Sequence, residues 1–153
     1  MENVEIAKAF IAATNNILAT MANITPKAGK PFVKNDPTSF GEFSAIIGVT
    51  GQHKGSICVT FTREGAMNVV RAMLGDDIMD IEQDAVDTVG EIANMVSGQA
   101  RATIAEKGVV LQGSTPTIIT GENHRITHMS KSPVMCIPFT MTEGAFTVEF
   151  CLE

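Results

Sequence analysis

The sequence has no tryptophan and no tyrosine, and its aromatic content rests on eight phenylalanines. Basic residues are also scarce, at 11 Lys and Arg against 17 Asp and Glu, for a formal net charge of -6. Nucleic-acid binders need clustered Lys and Arg and often aromatic stacking platforms, so a nucleic-acid partner is excluded. No apolar run approaches the roughly 20 residues of a membrane span. The first ten residues, MENVEIAKAF, carry acid where a secretory signal carries positive charge, which points to a cytoplasmic protein without membrane insertion. Cys58, Cys136 and Cys151 are odd in number and lie in apolar sequence, so they read as buried thiols in a reducing compartment. Walker loops, Rossmann fingerprints and the Gly-x-Ser-x-Gly elbow are all missing.

The chain that remains is 153 residues long and 44% hydrophobic, enough for one domain (1–153) with a substantial core. Its longest uninterrupted pattern is IEQDAVDTVGEIANMVSGQARATIAEK, residues 81–107, which lacks proline and reads as one helix. At 100° per residue, Ala85, Val89, Ile92, Val96, Ala100 and Thr103 fall on one face and form a core stripe. Asp87, Glu91, Asn94 and Gly98, spaced four, three and four apart, form a polar column on the opposite face.

Around this helix the sequence alternates helix and strand signals. Residues 4–22 repeat Ile6, Phe10, Ala13, Ile17 and Met21 on one face, and Thr25-Pro26 and Ala28-Gly29 then mark a loop. A short strand is expected at 31–33 and a hairpin from 40–50 and 56–61, turned through Gly51 and Gly55. Thr62 is a candidate N-cap for a helix to Leu74, with Gly75 as its stop. After Gly108, a strand at 114–120, a polar loop at 121–132 and a closing hairpin of 133–141 and 145–152 follow. Helix, Thr-Pro loop, short strand and hairpin thus occur twice, at 4–61 and 81–152. The expectation is an α+β fold of two related helix-strand-hairpin halves, with an antiparallel sheet packed against long helices.

The column carries a resemblance. Asp87-x3-Glu91-x2-Asn94, followed after 21 further residues by Pro116, is similar to the signature of the CheC/CheX/FliY chemotaxis phosphatases. The gap to Pro116 is one residue shorter than that family's pattern, and the proline reads as shaping the loop into the next strand. The first helix has Glu5 followed by Lys8 instead of Asn, so only the second half carries the pair, which is the CheX pattern; CheC usually shows it twice.

The resemblance implies a CheC-like fold, a homodimer joined through sheet edges, and hydrolysis of the aspartyl phosphate of a CheY-type response regulator. It also implies the division of labour: Asn94 orients the attacking water and Glu91 pairs with a lysine of the partner. The chemistry suits these residues, because a carboxamide offers donor and acceptor and stays neutral beside a phosphoryl dianion. Asp87 and Gly98 are candidates for partner binding. Asp87 equally suits the positive end of its helix, and Gly98 equally suits close packing of another element. No cofactor of its own is expected, Mg2+ belonging to the regulator. His124 and His128 lie four apart in the polar loop but lack a third ligand at convincing spacing, and His53 reads as a solvated turn residue. The rival reading is a non-catalytic module of the same fold that docks a chemotaxis or flagellar-switch partner.

Overall fold

The structure, a computed structural model, describes residues 1–128 and 130–153. Three helices, α1 (Asn3–Ala22), α2 (Arg63–Leu74) and α3 (Ile81–Ala105), cover one face of an antiparallel sheet. The strands are β1 (Lys27–Ala28), β2 (Phe32–Lys34), β3 (Phe43–Gly51), β4 (Gly55–Phe61), β5 (Leu111–Gly113), β6 (Thr117–Thr120), β7 (Val134–Thr140) and β8 (Ala145–Leu152). The sheet runs β1-β7-β8-β4-β3-β5, with β2 also on β7 and β6 also on β3.

The expected duplication is visible in the pairing. Each half supplies one helix, two short strands and one hairpin, and the hairpins meet at the centre where β4 pairs with β8. The short strands are exchanged: β1 and β2 of the first half pair with β7 of the second, while β5 and β6 of the second pair with β3 of the first. Neither half could close its sheet alone.

Alternation along the hairpins decides the core. Phe43, Ala45, Ile47, Val49, Ile57, Val59 and Phe61 face the helices and are buried, as are Ile137, Phe139, Phe146, Val148 and Phe150. Phe61, Phe146 and Phe139 stack in series with ring centroids 4.6 and 4.8 Å apart, and Phe150 stacks on Phe10 of α1. Side chains this large interdigitate only if register is kept, since a one-residue slip would turn them to the far face.

Several expectations shift. Residues 27–28 form β1 instead of loop, because pairing with Phe139 and Thr140 overrides a weak local signal. The strand expected at 114–120 is confined to β6, which pairs with 43–46; an unexpected strand, β5, precedes it and pairs with 49–51, and Pro116 lies in the link between them. Thr103 is only half-buried, and the stripe ends on Ile104, which lies beside Ile6, Val109 and Leu111. Met129 of the expected polar loop lies outside the described residues. The rest of that loop is a strap over the sheet's far face, bonded to the 35–42 segment through Ser39 N–H to His124 O and Ile126 N–H to Pro37 O, with Ile126 buried.

Candidate functional site

Asp80 starts α3. Its Oδ1 accepts from the N–H groups of Glu82 and Gln83, while Asp84 Oδ2 accepts from the N–H groups of Met79 and Asp80. Two carboxylates at the positive end of the helix fix where it begins and therefore its rotation. Burial of Ala85, Val89, Ile92, Val96 and Ala100 fixes that rotation independently. The expected column then faces away from the core, with Asp87, Glu91 and Asn94 all exposed.

The column forms a ridge with two different flanks. On one side α3 rests on the short strands, where Ile118 approaches Gly90 so closely that a Cβ there would lie 3.1 Å from its Cδ1. On the other, Gln99 accepts from Asn16 of α1 at 2.9 Å. Side-chain hydrogen bonds along α3 belong to Asp80, Asp84, Gln99, the Arg63–Glu82 pair, the Gln83–Asp87 pair (3.0 Å) and the Ser97–Arg101 pair (3.1 Å). Among the described residues, Glu91 and Asn94 make none. Their polar atoms keep their full bonding capacity for a partner.

Gly98 lies a turn beyond Asn94, and a Cβ on it would meet nothing but Arg101 Nη2 at 3.9 Å. Close packing within the chain is therefore not the reason for this glycine. Asp87 is held by Gln83 and keeps one oxygen outside that bond.

The histidines have other tasks. His124 Nε2 bonds Ser44 Oγ at 2.6 Å, and His128 Nδ1 bonds Ser56 Oγ at 2.5 Å, so both fasten the strap to β3 and β4. His53, expected to be solvated, is half-buried and bonds the Glu153 carbonyl. Among the described residues no three His, Cys, Asp or Glu side chains are grouped to hold a metal ion.

Sequence reasoning missed a buried charge. Glu149 on β8 is 1% exposed, with Lys34 Nζ 3.0 Å from Oε2 and His128 Nε2 3.2 Å from Oε1. Burial pushes the Glu149 carboxyl up, but the His128 hydrogen bond and the Lys34 charge outweigh it and hold the group below its ordinary value. Cys58 and Cys136 sit opposite Glu149 in the two flanking strands, and burial beside that carboxylate pushes both thiols up to about 12.

Comparison with known proteins bears on the ridge. The sequence profile described as "Chemotaxis phosphatase CheX" matches residues 43–140, which include the whole of α3. The CheY-P phosphatase CheX of Thermotoga maritima is 28% identical over 122 residues, 79% of each chain. The crystal structure of CheX from Desulfovibrio desulfuricans superposes with a TM-score of 0.92 at 56% identity, covering 97% of this chain and 99% of that one. The fold also matches that of CheX in the Borrelia burgdorferi CheX–CheY–BeF3–Mg2+ complex, with a TM-score of 0.80 at 24% identity over 96% of this chain and 97% of that one. With a CheX profile spanning most of the chain and a CheX crystal structure matching it almost end to end, the chain belongs to the CheX chemotaxis phosphatase family.

Proposed function

We propose that this protein hydrolyses the aspartyl phosphate of a CheY-type response regulator, with the α3 ridge as its working surface. The observation that carries the reading is the pair Glu91 and Asn94, exposed one turn apart and unbonded within the described chain. Their helix lies within the match to a phosphatase family, a relative of which is named for acting on CheY-P.

The reaction needs little from the phosphatase. Water attacks the phosphorus in line with the acyl oxygen, the P–O bond to the aspartate breaks, and inorganic phosphate leaves a regenerated carboxylate. A Mg2+ ion held by the regulator would neutralise charge on the phosphoryl oxygens. Asn94 fixes the water by accepting a hydrogen bond from it through Oδ1, while Nδ2 donates to a neighbouring oxygen. Glu91 pairs with a cationic side chain of the regulator and sets how deeply the ridge enters. Asp87 and the open space at Gly98 extend the contact on either side.

We further propose a cytoplasmic homodimer joined through a sheet edge. What supports the edge is β2, where Phe32 and Val33 are 40% and 50% exposed on a strand at the margin of the sheet. Light scattering of the purified protein, with Val33→Lys for comparison, tests it: a monomeric mass for the wild type would remove the dimer.

The test of function is phosphate release from phosphorylated CheY with wild type, Asn94→Ala and Glu91→Ala. Acceleration by wild type is expected, almost completely lost in Asn94→Ala with binding retained, and reduced chiefly through KM in Glu91→Ala. Binding without acceleration by wild type would replace the phosphatase with a docking module.

A further inference from the structure

The polar column does not stop at Gly98. Arg101 follows three residues later, continuing the spacing of four, three, four and three from Asp87. Helical side chains lean toward the N-terminus, and Arg101 does so. Its Nε–H donates to Ser97 Oγ at 3.1 Å, and Ser97 is fully buried. Beneath it passes β5: a Cβ on Gly113 would lie 2.9 Å from both Cζ and Nε of the guanidinium. The φ angle of Gly113 is not in the left-handed region, so the space above this glycine, not its backbone conformation, is what the arginine uses. The ion pairs of the described residues employ Lys34, Arg63, Lys107 and His128, and Arg101 joins none of them. Its Nη2 instead borders the open space at Gly98.

Resting on the functional reading above, we propose that Arg101 is a positioning residue for the response regulator, gripping a carboxylate on the regulator's face. The ridge is ordered by charge along its axis: Asp84, Asp87 and Glu91 at one end, neutral Asn94 and Gly98 next, and the guanidinium at the other end. A partner that presents a cation to Glu91 and its phosphoryl group to Asn94 must present an anion or acceptor near Arg101. Arg101 lies two turns, about 10 Å, beyond Asn94 along the axis, and leans back one turn. The group it holds is therefore a neighbour of the phosphoryl group and not the phosphoryl group itself. A carboxylate fits best, because a fork of N–H donors fixed at Nε leaves the Nη edge to bind two oxygens in one plane. Opposite charges at the two ends forbid the regulator from docking reversed, which is specificity by orientation.

The test measures steady-state dephosphorylation of CheY-P, and binding of unphosphorylated CheY, by wild type, Arg101→Lys, Arg101→Ala and Arg101→Glu. Asn94→Ala serves as benchmark and Arg71→Ala, on α2, as control. A charge-assisted hydrogen bond across the contact predicts a KM raised roughly tenfold in Arg101→Ala with kcat within about twofold. Arg101→Glu should be worse and Arg101→Lys intermediate, and the salt dependence of kcat/KM should flatten in both uncharged and reversed variants. An unchanged KM and salt slope in Arg101→Ala and Arg101→Glu would overturn the proposal and leave the arginine as filler over Gly113. So would a loss confined to kcat. Full turnover by Asn94→Ala would instead overturn the phosphatase site, while the binding data would still judge Arg101 on their own.

Discussion

The ridge of α3 and the far face of the sheet treat the same residue types in opposite ways. On the ridge, Glu91 and Asn94 stand in solvent with no bond to the described chain. On the far face, both Glu149 oxygens are engaged, one by Lys34 and one by His128, whose other nitrogen bonds Ser56. Ser56, His128 and Glu149 are connected as an activated nucleophile would be. Yet Ser56 is 1% exposed and the strap lies over it, so no substrate can reach its oxygen. A polar group whose bonds are completed inside the chain holds the fold together, whereas one left open at a fixed place on the surface is free to work on a partner. Accessibility separates the two regions where composition cannot.

The largest effect expected from this contrast is on stability. Glu149→Ala strips Lys34 and His128 of their carboxylate and leaves a buried ammonium, a loss of roughly 3–5 kcal/mol. Denaturant unfolding measures it, and phosphate release per folded molecule should be unchanged. A variant that stays folded but inactive would break the comparison, since the far face would then be contributing to turnover. Asn94→Ala should behave conversely, with turnover falling on the order of 10²-fold, as expected for lost alignment of the attacking water. Its unfolding free energy should stay within about 0.5 kcal/mol of wild type, as for an exposed side chain without partners.

The same contrast explains what the sequence disclosed. Helix periodicity placed Asp87, Glu91, Asn94 and Gly98 on one face, and the structure keeps them there, because 25 residues with Asp80 at the start and a buried stripe have one stable rotation. The far face was hidden because alternation in a strand tells only which residues share a face. Antiparallel sheets commonly leave that second face to water, and nothing local foretells that segments 35–42 and 121–132 meet above it. One signal was present. The far-face positions Ser44, Ser56, Cys58, Thr60, Cys136, Thr147 and Cys151 are small, not the long Lys and Glu of a solvated sheet. A single Glu among them marks a buried charge that needs a partner. Two-residue β1 and three-residue β5 exist only through pairing with distant strands, so no local pattern could announce them.

Acid should separate the regions more gently. The Glu149 carboxyl is held below its ordinary value in the folded protein. A depressed folded value means the stabilisation is complete above the unfolded carboxylate range, near pH 4.3. It is lost as the pH falls through the lower, folded value. Wild type should therefore show a decline in unfolding free energy beginning below about pH 4.5 that is shallower in Glu149→Gln. Equal slopes would mean that Lys34 and His128 do not hold the carboxylate charged.

The smallest effect tests the ridge from the side of stability. Glycine inside a helix costs about 0.8–1.0 kcal/mol relative to alanine, and Gly98 sits mid-helix with no neighbour that demands it. An added Cβ would stand 3.9 Å from Arg101 Nη2, an ordinary contact. Gly98→Ala should therefore unfold at higher denaturant concentration than wild type, by an amount near that helix-propensity difference. If the glycine leaves room for a regulator's backbone, the same variant should bind CheY more weakly, so stability and affinity move in opposite directions. A rise in both would mean the space at Gly98 is not used by the partner. A fall in stability would mean that the ridge is packed more tightly than its open flank implies, and that the glycine belongs with the structural residues of the far face.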